Sequence, residues 1–256
     1  MTDGSSDGRT ATSGGGDGGG GADGGATLGN ALRELKADGC NLLVVGDAPR
    51  RLFTEASGSL LGGTDERRYR LLAVTDASPR SVVERLPTAD GSSEPPAETT
   101  EIINHASPPR SVANAGGEAG PGAVGKLPER QVVDPQLGGL QAELAEAMAA
   151  FDRHAGGLDS AQLRVGVDSL GALLEHYEAD VVERCLQVVT GYVSDYDAMG
   201  HYVLVEPFEA ERVQSLVDRF DAVVQLRAVD SAKRDHHAEE RWHVPSRGLE
   251  TDWLPV

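Results

Sequence analysis

The stretch LRVGVDSLGALLEHY, residues 163–177, constrains the fold of this chain more than any other part of it. Its apolar run ends in Asp168-Ser169, and a helical pattern begins at Leu170. Strands that are buried on both faces of a parallel sheet read as near-continuous Val and Leu runs, and Asp or Ser at the strand exit can cap the next helix. The stretch therefore predicts a parallel strand that leads directly into a helix, with Asp168 at the sheet edge where α/β proteins bind ligands.

Strand and helix patterns alternate along the chain. Apolar runs predict strands at 41–46, 69–75, 101–104, 163–167, 201–205, 222–226 and 241–244, and helical spacing of apolar residues predicts helices at 28–35, 51–61, 137–151, 170–177, 180–196 and 213–220. A further helical turn is predicted at 81–86, and Asp180 and Glu183 form a capping-box-like pair. The alternation predicts an α/β sandwich with a mostly parallel central sheet and an antiparallel hairpin at its C-terminal edge.

Composition divides the chain into one domain and two tails. Residues 1–26 are mostly Gly, Ser, Thr and Asp, which predicts a disordered tail because such a segment has little to bury. Residues 27–247 form the domain, and residues 248–256 a C-terminal tail. The Pro- and Gly-rich stretch 106–130 is interpreted as a flexible insertion, because neither flank could bury a core alone. A boundary between two domains at this stretch is the alternative.

The charge argues against two classes of partner. The formal net charge is −18 and the pI is near 4.7, whereas nucleic acids and anionic membrane surfaces attract basic proteins. Neither is therefore expected as a partner. The chain has only three lysines, Lys36, Lys126 and Lys233, and an acidic, lysine-poor surface suits a high-salt cytoplasm.

The chain carries no sequence signal for export or membrane insertion. No apolar stretch approaches the ~20 residues of a membrane span, and the N-terminus lacks the pattern of a signal peptide. Cys40 and Cys185 are far apart and read as buried hydrophobic residues rather than a disulfide framework. We expect a cytoplasmic protein.

Four segments together resemble a known class of proteins. LKADGCNLLVVG, LRVGVDSLGALLEHY, HYVLVEPF and FDAVVQL, with the order of the strands, resemble the RecA/KaiC-type branch of P-loop ATPases over about residues 27–244. They look more closely like a haloarchaeal family of degenerate KaiC-like proteins, some of which are labelled transducer-like. The resemblance implies a RecA-like three-layer sandwich, in which 41–46 is the P-loop strand and 163–168 the Walker B strand.

The phosphate-binding motif of that class is missing. An active enzyme needs G-x-x-x-x-G-K-[ST] after the first strand, but Gly46 is followed here by Asp47-Ala48-Pro49-Arg50-Arg51. The second glycine, the lysine and the hydroxyl are absent, and Pro49 removes an amide that would bind phosphate. Phosphoryl transfer depends on these groups for electrostatic stabilisation, so we expect neither ATP hydrolysis nor a cofactor.

Four residues are candidates for a vestigial cofactor-binding site, and no residue is assigned as catalytic. Asp168 is either a former Mg²⁺ ligand or, as we prefer, a helix cap shared with Ser169. Arg50 and Arg51 either clamp an anion at a helix N-terminus or, as we prefer, form a solvated surface pair.

Two other chemistries are disfavoured. His236, His237 and His243 suggest a metal site, but no cysteine or dense carboxylate set accompanies them, so a polar loop is preferred. A phospho-acceptor receiver domain would need an acidic pair after the first strand and a lysine after the fifth. Asp47 is single and VLVEPFE contains no lysine.

The sequence favours a non-catalytic interaction scaffold in signalling, with a protein partner or a homo-oligomer expected by analogy alone. The alternative is a nucleotide-binding protein or weak ATPase that uses Arg50, Arg51 and Asp168 in an atypical site.

Overall fold

The computed structural model describes residues 20–63, 67–76, 86, 98–105, 127–132, 134, 136–230 and 232–256. The helices are α1 (Gly20–Ala37), α2 (Arg50–Leu60), α3 (Leu137–Ala155), α4 (Leu170–His176), α5 (Ala179–Asp195) and α6 (Glu211–Gln214). The strands are β1 (Cys40–Asp47), β2 (Tyr69–Val74), β3 (Thr100–Asn104), β4 (Glu129–Gln131), β5 (Leu163–Asp168), β6 (Met199–Leu204), β7 (Ala222–Ala228), β8 (Ala238–Val244), β9 (Leu249–Glu250) and β10 (Leu254–Pro255). Single 3₁₀ turns lie at Val217–Arg219 and Pro245–Arg247.

The strands form one sheet in the order β10-β8-β7-β1-β6-β5-β2-β3-β4, and β9 also pairs with β8. All pairings from β7 to β4 are parallel, whereas β8 is antiparallel to β7, β9 and β10. The expected α/β class, with a mostly parallel central sheet and an antiparallel C-terminal edge, is confirmed. Strand β6 separates β1 from β5, which fixes the distance between the chain segments that follow these two strands.

Helices cover both faces of the sheet, because the central strands are apolar on both. In β1, Leu43 and Val45 belong to the core under α3 and α5, whereas Leu42 and Val44 pack with Phe53 of α2 on the opposite face. A strand with two buried faces gains ~1.5–3 kcal/mol from each buried Val or Leu side chain, which explains the uninterrupted run NLLVV. None of the helices in the described parts of the chain is both long and apolar enough to cross a bilayer.

Two stretches expected to be irregular contribute to the sheet. The predicted insertion 106–130 overlaps β4, which pairs with β3 and is fixed by ion pairs from Arg130 to Glu101 and Glu143, each at 2.9 Å. The predicted tail 248–256 contains β9 and β10, and the backbone N–H of Trp242 donates to Thr251 Oγ1 at 3.0 Å. These strands are short or polar and therefore show no apolar pattern.

Other predicted boundaries lie outside the described residues or shift. Residues 1–19, 81–85 and 106–126 lie outside them, and α1 begins at Gly20, inside the expected tail. The capping box is wrong: the N-cap position of α5 is Glu178, and Asp180 instead pairs with Arg184 at 2.8 Å, and Glu183 with Arg219.

The buried stripe of α5 differs from the predicted one. Cys185 and Val189 are buried as expected, whereas Val181, Tyr192 and Tyr196 are only half-buried. Val182, Leu186 and Val193 take their place in the core. Apolar residues extend around much of this helix, so spacing alone does not locate the centre of its buried face.

The glycine at the end of β1 is required by the close approach of β7. Gly46 has φ +152°, and a Cβ atom there would lie 2.1 Å from the backbone oxygen of Leu226. We expect Gly46→Ala to lower the free energy of unfolding by at least about 2 kcal/mol in urea denaturation, because β1 and β7 must separate locally. The matched control is Gly191→Ala on the exposed face of α5, where a Cβ meets nothing within 4 Å and a gain of about 0.5–1 kcal/mol is expected. Equal stability of the two variants would contradict this packing.

A buried histidine makes stability depend on pH. His201 of β6 lies 2.7 Å from Ser57 Oγ through its Nε2 atom, and burial, with the positive charge of Arg164, lowers its pKa to about 3. The unfolded chain, with a histidine pKa near 6.5, takes up a proton that the folded protein excludes, so stability is full above about pH 6.5 and falls toward pH 3. Between pH 7 and pH 5 we expect the wild type to lose about 2 kcal/mol more than His201→Gln. Urea denaturation at both pH values tests this, and equal losses in the two proteins would contradict it.

Candidate functional site

The candidate site lies at the carboxyl edge of the sheet, where β1 ends in Gly46. The backbone N–H of Gly46 donates to the carbonyl oxygen of Glu206 after β6, at 2.8 Å. The chain then turns through Asp47, Ala48 and Pro49 into α2. Pro49 occupies the N-cap position, and α2 has no side-chain cap hydrogen bond. The segment is therefore a short, proline-stiffened connection rather than a glycine-rich loop.

Arg50 and Asp168 form an ion pair across this edge. Arg50 is the first residue of α2, Asp168 is the last residue of β5, and the guanidinium Nη2 donates to Asp168 Oδ1. The Asp168 side chain is fully buried and that of Arg50 is 34% exposed. Because β6 lies between β1 and β5, the arginine side chain spans one intervening strand. The structure thus joins two of the four candidate residues into one contact.

The preferred interpretation of Asp168 as a helix cap is not what the structure shows. Ser169 occupies the N-cap position of α4 but makes no side-chain cap hydrogen bond, and the Asp168 carboxylate faces Arg50 instead. A buried carboxylate gains more from a full opposite charge than from a single backbone N–H, which explains the preference. The peptide bond between Asp168 and Ser169 is cis.

The backbone of Ser169 is held by the neighbouring strand. Thr75 Oγ1 donates to the carbonyl oxygen of Ser169 at 2.6 Å and accepts its backbone N–H at 2.8 Å. The backbone N–H of Thr75 also donates to the carbonyl oxygen of Asp168 at 3.0 Å. These three bonds hold the first residues after β5 against the end of β2.

The two adjacent arginines have different environments, so the expected surface pair is correct for only one of them. The Arg51 side chain is 74% exposed and its Nε donates to Glu55 one helical turn further on, at 2.6 Å. Glu55 also lies 3.3 Å from His237 Nε2, in the loop between β7 and β8. Arg50, in contrast, points toward the buried carboxylate. The sequence RR alone does not distinguish them.

The three histidines considered for a metal site are not brought together. His236 Nε2 donates to Glu239 at 3.0 Å, His237 contacts Glu55, and His243 stacks on Phe208 with ring centroids 4.5 Å apart. No group of three or more His, Cys, Asp or Glu side chains suited to a metal ion occurs in the described ranges.

Glu239 of β8 was not predicted from the sequence as a site residue. It binds arginine and histidine side chains of the β7–β8 hairpin. Its buried carboxylate accepts hydrogen bonds from His236 and, at 2.8 and 2.5 Å, from Arg227, and pairs with Arg234 at 3.1 Å. The hydrogen bond from His236, and then those from Arg227, hold the pKa of Glu239 below its usual range. The arginine- and histidine-rich loop is the feature of the sequence that could have predicted a buried acidic partner. The sequence does not show which carboxylate it is, because that depends on the register of the hairpin.

Removal of Arg50 should cost far more stability than removal of its neighbour. We expect Arg50→Met to lower the free energy of unfolding by about 3 kcal/mol, because it removes a positive charge that contacts the buried Asp168 carboxylate. The control Arg51→Met removes only an exposed pair and should cost less than about 1 kcal/mol. Urea denaturation in the same salt measures both.

A second substitution separates the ion pair from packing effects. Adding Asp168→Asn to Arg50→Met also removes the buried negative charge, so the double variant should regain part of the loss. A cost for Arg50→Met no larger than that for Arg51→Met would show that the pair contributes nothing beyond a surface contact.

Comparison with known proteins places the chain in a family without assigning an activity. No curated protein matches it. A model of a family of unknown function, DUF7504, matches residues 39–226, well over half of the chain. The match begins just before β1 and ends in β7, so it includes Gly46, Arg50 and Asp168. The chain belongs to the family of unknown function DUF7504.

Proposed function

We propose that this chain is a non-catalytic relative of the RecA/KaiC-type ATPases, of haloarchaeal origin, that acts as a regulatory or signalling interaction scaffold. The observation that carries the proposal is the ion pair between Arg50 and the buried Asp168. In this interpretation β1 is the former P-loop strand and β5 the former Walker B strand. The pair then spans the space in which an active relative would hold the phosphates and their metal ion.

The residues at this edge do not suit a magnesium nucleotide. A guanidinium at Asp168 Oδ1 places a positive charge where a divalent cation would have to approach. Asp47, exposed at the end of β1, would repel a triphosphate, and no lysine occurs between Lys36 and Lys126 to replace the missing one. The guanidinium thus opposes the metal ion and the Asp47 carboxylate opposes the triphosphate.

A scaffold function is compatible with an intact fold. The central strands β1, β5 and β6 are buried and parallel, and the edge is closed by protein groups rather than left open. Such a framework can present fixed outer surfaces without a bound nucleotide. With a nucleotide disfavoured, we propose a protein partner or a second copy of the chain as the binding partner.

A second candidate, nucleotide binding without efficient hydrolysis, is favoured by one observation. Arg50 lies in the first turn of α2 and its side chain is 34% exposed, so it could exchange Asp168 for an anion at the helix N-terminus. The exchange would leave Asp168 buried without this partner, which opposes it.

Calorimetry with magnesium-ATP distinguishes the two functions. We expect no heat of binding at millimolar nucleotide, in molar KCl, for the wild type, Arg50→Met or Arg51→Met. Circular dichroism of the same samples controls for folding. Binding by the wild type and by Arg51→Met that is lost in Arg50→Met would overturn the scaffold proposal and establish the nucleotide site.

A further inference from the structure

A groove of about 650 Å³ lies between the start of α3 and the first half of α5, on the face of the sheet that these two helices cover. Leu137 lines it from α3, and Val181, Cys185 and Val188 line it from α5. Tyr177, between α4 and α5, also lines it. We call this feature the α3–α5 groove. It is separate from the carboxyl-edge ion pair described above.

The lining of the α3–α5 groove carries almost no free charge. Burial raises the pKa of the Cys185 thiol to about 11, and burial, with the nearby Asp134 carboxylate, raises the pKa of Tyr177, so both stay neutral at physiological pH. Among the described lining residues Arg184 is the one with a charged side chain, and its Nη1 pairs with Asp180 at 2.8 Å. The described lining is therefore mostly apolar, apart from the amides of Gln136 and Gln141 and the neutralised Arg184–Asp180 pair.

Val188 shows that this apolar surface reaches solvent. It is 40% exposed, although it lies in the middle of a helix whose other large aliphatic residues are buried or half-buried. Single exposed valines are ordinary on protein surfaces, but this one continues a wall made by Val181 and Cys185. Covering an apolar surface that is open to water lowers the free energy, so this surface favours binding of a partner.

The acidic residues around the groove favour a basic partner. Asp134, Glu178 and Asp180 are exposed beside the lining residues, and within the described part of the chain an arginine pairs with Asp180. A second copy that docked through the same face would bring these carboxylates close to their own counterparts, and like charges in contact are unfavourable. A partner with basic residues beside its apolar surface complements this rim.

The spacing of the apolar lining residues along α5 suits a helical partner. Val181 and Val188 are seven residues apart in α5, and at 1.5 Å per residue they span ~10 Å, or about two helical turns. A helix that docks in a groove of this length presents apolar side chains at i, i+3 or i+4, and i+7. We infer that the α3–α5 groove binds an amphipathic helix of a partner protein, whose apolar stripe is flanked by lysine or arginine. This inference rests on the proposed scaffold function and names its partner class.

Two synthetic helices and two matched variants test the inference. The probes are a leucine–lysine peptide with leucines at i, i+3, i+4 and i+7 and a leucine–glutamate peptide with the same stripe, and binding is followed by fluorescence anisotropy in molar KCl. At this salt the Debye length is ~3 Å, so net charge alone attracts neither peptide at long range. We expect the lysine peptide to bind at least tenfold more tightly than the glutamate peptide.

Val188→Asp and Val205→Asp separate the groove from general attraction. Both valines are 40% exposed and both substitutions add one carboxylate, but only Val188 lines the groove. We expect Val188→Asp to weaken binding of the lysine peptide at least tenfold and Val205→Asp to change it less than twofold.

Each contrary result has a distinct meaning. Equal binding to the two variants, equal binding of the two peptides, or no binding would overturn the inference. Light scattering that shows a wild-type dimer and a monomeric Val188→Asp would assign the groove to self-association and would also overturn it. None of these outcomes depends on nucleotide, so failure of the groove inference and failure of the non-catalytic proposal are distinguishable.

Discussion

A carboxylate buried at the end of a parallel strand must be neutralised, because removing an ionised group from water costs several kcal/mol that only a close opposite charge or strong hydrogen bonds repay. Asp168 is in this position at the end of β5, and Arg50 supplies the charge from the first turn of α2. The pair thereby joins the start of α2, which follows β1, to the end of β5, although β6 lies between β1 and β5. The Arg50–Asp168 contact therefore holds the start of α2 against the end of β5.

The closure of this edge depends on close backbone packing as well as on charge. Gly46 lets β7 approach β1 where no side chain fits, and its N–H is bonded to the carbonyl oxygen of Glu206. The turn at Asp47–Pro49 then starts α2 directly, so Arg50 is carried toward β5. A longer, glycine-rich loop would leave backbone N–H groups free for an anion; the short turn directs an arginine side chain inward instead.

Long apolar runs made the central strands predictable. The contacts between residues far apart in sequence did not follow from the hydrophobic pattern. The runs at 41–46 and 163–167 identified β1 and β5, because strands with two buried faces need apolar residues at every position. The edge strands β4, β9 and β10 have two or three residues and no such run. Arg50 and Asp168 were both candidates, yet they are 118 residues apart, and their contact depends on β6 lying between β1 and β5. Sequence spacing carries no information on that order.

Helix α4 is the covalent connection between the closed edge and the α3–α5 groove. It begins one residue after Ser169, whose backbone is held by Thr75, and it ends before Tyr177, which lines the groove. The Tyr177 hydroxyl is in turn 3.0 Å from His105 Nε2, after β3. Both ends of this seven-residue helix are therefore fixed to the carboxyl edge of the sheet. The contact with His105 restrains Tyr177, and a groove with a restrained wall loses less conformational entropy when a partner helix binds.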